Sequence, residues 1–192
     1  MVPAGYLLKR TSAPPGWLSG APVADVCSVA DCVNDNVIDV QSAWQHNAFG
    51  VANDRGTLSR LVVDATAETD HSKLFYYELY EQEIESDGWG VDPSGWRPLT
   101  AVPSAGVETS VVPPTQSLLT LMGYDVVVFG DYLEHSPLSC NSIAAELRVN
   151  EHCLFETLED AKAAIDRGAF NGGCEPGVYR IFSVSAVLDE GP

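Results

Sequence analysis

The sequence predicts an α+β fold, with a mostly antiparallel or mixed sheet, about three to four helices and a strand-helix-strand unit at its end. Three observations carry this prediction. Residues 73–84 and 178–188 alternate with the period of two that marks a strand covered on one face. Apolar residues recur at helical spacing after position 36 and after position 157. Short Pro/Gly turns (Pro14-Pro15-Gly16, Pro93-Ser94-Gly95, Pro113-Pro114) separate these segments at hairpin-like distances, without a tract long enough to link two domains. We therefore expect residues 1–192 to form one domain, and 192 residues suffice for a core that needs neither disulfides nor a structural metal.

Taken in order, residues 5–10 predict a first strand, followed by an irregular, proline-bearing segment through Val33. Val37, Val40, Trp44 and Ala48 share a helical face, with Asn34 or Asp35 as cap and Gly50 as stop, so a helix is expected there. Leu58, Leu61 and Val62 predict a short second helix over 57–65. In the strand at 73–84, Phe75, Tyr77 and Leu79 should face the core, while Tyr76, Glu78, Tyr80 and Gln82 face outward. Asp87-Gly88 and the turn at 93–95 then give a wide hairpin, returning along 96–102, whose tip carries Trp89 and Trp96. The apolar run 124–130 predicts a buried strand. Ser139 or Asn141 is placed to cap a helix reaching about Arg148. Thr157 opens a helix in a near capping-box arrangement, Ala161, Ala164 and Ile165 form its packing face, and Gly168 ends it. Residues 153–155 before it and 178–188 after it complete the closing unit, an arrangement that carries no function of its own.

Charge excludes more than it assigns. The formal charge is −17, from 27 acidic and 10 basic residues, the wrong sign for phosphate neutralisation, so no direct nucleic-acid binding is expected. Between Thr11 and Asp54 there are five aspartates and no Lys or Arg; between Leu74 and Trp96 there are six acidic residues and again no base. No run approaches the length of a membrane span, and the N-terminal basic pair Lys9-Arg10 is wrongly placed for a secretory signal. A cytoplasmic address without membrane contact is the expectation. Five cysteines, Cys27, Cys32, Cys140, Cys153 and Cys174, are an odd number in such a chain, so reduced thiols are expected rather than a disulfide framework.

Chemistry-bearing motifs are sparse. The densest polar stretch runs from Asp131 through Ser142 and resumes at Asn150-Glu151-His152-Cys153. It offers Cys140 as a nucleophile activated by a helix N-terminus, His135 or His152 as its base, and Asn141, Asn150 or Glu151 as orienter. This defines the alternative reading, a small cysteine-dependent hydrolase or transferase, set against a bland one in which these are ordinary caps and core groups. Cys27 and Cys32 could join Cys140, His152, Cys153 or Cys174 around zinc, but a second closely spaced pair is missing, so no metal is expected. Asp31, Asp35 and Asp39 lack the register of a calcium loop. Nucleotide-binding glycine motifs are absent, and no cofactor is expected.

The acidic hairpin is the more suggestive feature. Tyr76, Glu78, Tyr80, Glu85, Asp87, Trp89, Asp92 and Trp96 combine aromatic rings with uncompensated carboxylates, the composition of a surface that anchors and steers a basic partner. The leading expectation is thus a binding protein rather than a catalyst: an acidic inhibitor or immunity-type protein neutralising a basic partner such as a nuclease or nucleic-acid-binding protein.

Overall fold

The computed structural model describes residues 1–100, 106–129 and 134–188. Among the described residues, seven strands form one antiparallel sheet: β1 (Val2–Arg10), β2 (Ser72–Leu79), β3 (Gln82–Ser86), β4 (Arg97–Pro98), β5 (Leu119–Phe129), β6 (Glu134–His135) and β7 (Gly177–Val187). The described residues hold two α-helices, α1 (Arg55–Asp64) and α2 (Leu158–Asp166), together with single 3-10 turns. The expectation of three to four helices is therefore corrected: the protein is mostly sheet.

β7 is the axis of the sheet. One of its edges pairs with β5 from Leu119↔Val187 to Phe129↔Val178, and the other pairs with β2 and then β3 in succession. The predicted strand over 73–84 is thus two strands laid end to end along one partner. Tyr80 and Glu81 interrupt the ladder, although the Tyr80 N–H still donates to the Ile181 carbonyl at 2.8 Å. Outside this centre, β1 pairs with the free edge of β2, β4 closes the predicted hairpin with β3, and β6 adds to β5.

Both faces of this centre are buried. Val127, Phe182 and Val184 belong to one apolar cluster; Val126, Val128, Tyr179 and Ile181 belong to another. Because successive side chains of a strand point to opposite faces, the near-continuous apolar runs of β5 and β7 are what a sheet covered on both sides requires. The first cluster is completed by Leu58 of α1 and by Cys27, Val29, Val37, Val40 and Val51 from the irregular 19–54 segment. The second takes Ala161, Ala164 and Ile165 from α2.

Local chemistry explains where the helices form. Asp54 and Thr157 accept from the N–H groups of Thr57 and Asp160, which caps α1 and α2, and Gly168 leaves the second helix at φ 73°. The helix expected after Asn36 is instead a series of turns. Asp39 takes the N–H groups of Gln41 and Ser42 and the Ser42 hydroxyl, an Asx arrangement that competes with helical bonding. Val37 N–H is drawn to the Leu8 carbonyl, and Trp44 sits at φ 55°. The helix expected from 139–141 to Arg148 is only a 3-10 turn, Ile143–Ala145. The closing unit also lacks its first strand, since Phe155 makes a single bridge to Tyr124.

Candidate functional site

The hairpin surface and a cysteine-histidine corner hold most of the residues singled out from the sequence. On the hairpin, the acidic-aromatic set divides into a packed part and a free part. Tyr76, expected to face outward, is only 2% exposed: it is the cross-strand partner of Tyr6 on β1, with ring centres 5.1 Å apart, and both rings belong to the same buried apolar cluster. Glu78 is half-buried beside the Ser183 hydroxyl. Tyr80 and Trp96 meet edge to face at 5.9 Å, and the Lys162 ammonium of α2 stands 3.8 Å from the Trp96 ring centre and 4.8 Å from that of Tyr80. Trp96 Nε1 also donates to Asp166 at 2.8 Å. These two rings fasten the hairpin to α2.

The free part is the tip. Trp89 is 82% exposed. Its backbone is nonetheless fixed, since Asp87 accepts from the N–H groups of Trp89 and Gly90, and Gly172 N–H bonds the Gly88 carbonyl from the loop after α2. Asp92 is exposed and accepts from both the N–H and hydroxyl of Ser94, bonds that hold its carboxyl below the usual carboxylate range. The negative field is not wholly uncompensated: Arg97, just beyond the acidic stretch, reaches Glu85 at 3.1 Å and Glu83 at 3.3 Å.

At the other corner, Cys32 and Cys140 are joined in a disulfide with Cα atoms 5.5 Å apart, which corrects the expectation of reduced thiols throughout. Cys27, Cys153 and Cys174 remain free; burial pushes the first two up to about 12 and Cys174 to about 11, so all three thiols are protonated at neutral pH. His135 Nδ1 lies 3.7 Å from Cys32 Sγ. A cavity of about 300 Å³ opens here, walled in part by Cys32, His135, Cys140, Asn141, Cys174 and Glu175. Cys140 and His135 are therefore neighbours, but the Cys140 sulfur is bonded rather than a thiolate. Asp131 lies outside the described residues.

His152 belongs elsewhere. Its Nδ1 is 2.5 Å from Asp25 Oδ1, and Lys73 reaches the other Asp25 oxygen at 3.3 Å. Burial raises the Asp25 carboxyl, but the hydrogen bond and charge of His152, with Lys73, outweigh it and leave the group below its ordinary value. Cys27 lies beneath with its sulfur 3.9 Å from Asp25. The structure thus parts Cys27 from Cys32, the one locally spaced pair, and places His152 with Asp25 and Cys27.

A residue that sequence reasoning missed organises the corner. Asp125 on β5 is fully buried, and burial raises its carboxyl despite hydrogen bonds from Ser136, Val29 and Ser28 and the charge of Lys9. One oxygen accepts from Ser28 and the Val29 N–H, the other from the Ser136 hydroxyl at 2.6 Å. One carboxylate thereby ties the loop carrying Cys32 to the turn carrying Cys140. A lone Asp in the otherwise apolar run Val126-Val127-Val128 was its only signal. No protein-family model, curated protein or solved structure matches the chain.

Proposed function

We propose that this is an acidic protein-binding module, an inhibitor or immunity-type protein that docks a basic macromolecule through the tip of the β3–β4 hairpin. The observation that carries the reading is Trp89: a large ring held out in water on a backbone made rigid by Asp87 and by the loop after α2. Exposing an indole on an ordered loop forgoes about 1.5–3 kcal/mol of burial, which docking would recover. Asp87 and Asp92 are exposed in the turn that carries it, and Glu81 and Glu85 are exposed further along the same hairpin; acidic groups so placed steer a cationic partner and select against anionic ones. The cationic groove of a nuclease or nucleic-acid-binding protein fits this chemistry.

The Cys32–Cys140 bond bears on the compartment. The cytoplasmic address expected from the sequence would keep this pair reduced, whereas the bonded pair supports an oxidising setting for the encounter. None of the described helices is long and apolar enough to cross a membrane.

The test is a binding panel of basic nucleases and nucleic-acid-binding proteins, with acidic proteins as controls, measured against the full chain and its Trp89→Ala variant. Salt-sensitive binding to a basic member, weakened more than about 10-fold by the substitution, is expected. Binding that ignores Trp89 would remove the hairpin from the interface.

A further inference from the structure

Among the described residues, two groups bring three metal-ligating side chains together, each with its ligand atoms within 4.8 Å of one another: Cys32, His135 and Cys140, and Asp25, Cys27 and His152. The second is closed. Cys27 is 0% exposed, and Asp25 is already committed to His152 and Lys73. The first faces a cavity, and its sulfurs are held in a bond that can be opened.

We propose that reduction of the Cys32–Cys140 bond converts this corner into a zinc site, with Cys32 Sγ, Cys140 Sγ and His135 Nδ1 as ligands and a fourth position open to the cavity. Tetrahedral zinc, with Zn–S about 2.3 Å and Zn–N about 2.0–2.1 Å, sets a sulfur and a nitrogen ligand about 3.5 Å apart. Cys32 Sγ and His135 Nδ1 already stand at 3.7 Å. Two thiolates and an imidazole are also the donors that a borderline-soft divalent ion prefers.

The supporting shell persists when the bond is broken. His135 is held by pairing with Val128 of β5. Cys140 sits on a turn whose N–H groups at Ser139 and Cys140 return to the Ser136 carbonyl, and the Ser136 hydroxyl is anchored on Asp125. The same carboxylate holds Ser28 and Val29, four and three residues before Cys32. Opening the disulfide therefore leaves both loops tied to one buried group, so the two thiols stay near each other.

The chemistry balances in two steps. A dithiol reductant supplies two electrons and two protons; the sulfur–sulfur bond breaks, Cys32 and Cys140 become thiols, and the reductant closes its own disulfide. Zinc then displaces both thiol protons to water and takes His135 through Nδ1 as neutral imidazole, its proton on Nε2. A disulfide oxidant reverses the sequence by exchange: the Cys32–Cys140 bond re-forms, the oxidant takes up the two electrons, and two protons from water, as it becomes a dithiol, and the ion is expelled. The two loops are thus joined covalently under oxidising conditions and by metal under reducing ones, whether or not the hairpin docks a partner.

The experiment uses the full chain, reduced with a phosphine that is then removed, and titrated with Co²⁺ as a spectroscopic probe and Zn²⁺ as competitor. One Co²⁺ per reduced chain is expected, with tetrahedral visible bands and sulfur-to-metal charge transfer, at least about 100-fold tighter than in the oxidised chain and displaced by zinc. Cys32→Ser and His135→Ala should each weaken binding by more than about 10-fold, while Cys27→Ala should not. His135→Ala leaves the disulfide and the core untouched, so it remains decisive if Cys32→Ser fails to fold. A reduced chain without the tetrahedral spectrum, a His135→Ala variant that binds like wild type, or loss of binding in Cys27→Ala would each overturn the assignment.

Discussion

Arg180 Nε on β7 donates to Glu83 Oε2 on β3 at 2.9 Å, with both side chains buried to within 2% of complete. The guanidinium also donates to the Thr100 carbonyl at 2.7 Å and lies 4.6 Å from the Phe129 ring centre, and Arg97 approaches the second Glu83 oxygen. A buried charge of this kind is tolerable only while its partner is present. Glu83→Ala is therefore expected to cost about 3–5 kcal/mol, and the Glu83→Ala/Arg180→Met double variant less than that. Denaturant melts of wild type, Glu83→Ala, Arg180→Met and the double variant check this, and additive losses would show that the two groups act separately.

The Cys32–Cys140 bond closes a loop of 108 residues. Cys140→Ser should lower stability by about 2–5 kcal/mol under oxidising conditions, chiefly by releasing the unfolded chain, and by nothing once a reductant is added to both proteins in the absence of metal. Unfolding with and without reductant separates the two results.

Asp125→Ala should cost about 3–5 kcal/mol, because it strips the acceptor from two buried hydroxyls and an N–H, each worth about 1–3 kcal/mol when left unsatisfied. Asp125→Asn keeps one acceptor and should cost less. Hydrogen exchange at Val29 gives a local readout, with faster exchange expected in the alanine variant.

Asp25 links stability to acid. Its carboxyl is lower in the folded protein than in the unfolded chain, so its contribution is fully present above the unfolded value near 4 and is lost as pH falls through the lower folded one. Asp25→Asn should therefore be less stable than wild type at pH 5 and above, and the gap should close toward acid. A gap that stays constant across the acid limb would detach this carboxyl from the effect.

For the hairpin, charge should govern rate. A variant combining Glu81→Lys, Glu85→Gln and Asp87→Asn keeps the turn acceptor at position 87 while weakening the field. With a basic partner in hand, its association should be slower and less sensitive to salt, with dissociation nearly unchanged. Equal salt slopes for wild type and variant would leave the charge a purely solubilising role.

Legibility in the sequence followed the range of the interaction. Thr157, Ala161, Ala164, Ile165 and Gly168 lie within three turns of one another, and their helix stands close to where it was expected. Val37, Val40 and Trp44 showed the same period by coincidence, because Asp39 and the pull of β1 on Val37 override it. Alternation alone puts Tyr76 outward, and nothing local announces that its face is buried too, in a cluster with Tyr6 and other distant residues. Cys32 with Cys140, and Asp125 with Ser28 and Ser136, join segments far apart in the chain, so no spacing rule reaches them. Trp89 and Trp96 looked equivalent in sequence; Lys162 and Asp166, contributed by a distant helix, make one a fastener and leave the other free.

The place of β7 at the middle of the sheet bears on synthesis. Roughly a hundred residues separate the start of β2 from that of β7. At about 5–20 residues per second, a ribosome presents β2 and β3 for about 5–20 s before their common partner emerges. Throughout that interval Phe75, Tyr77, Leu79 and Ile84 border an unsatisfied edge, the condition under which nascent strands associate with the wrong chain. Glu78, Glu81, Glu83 and Glu85 punctuate this same run, and charge repulsion between copies is what a strand waiting for its neighbour needs. Repulsion among these carboxylates would keep unfinished copies apart, although in the folded protein Glu83 ends buried against Arg180.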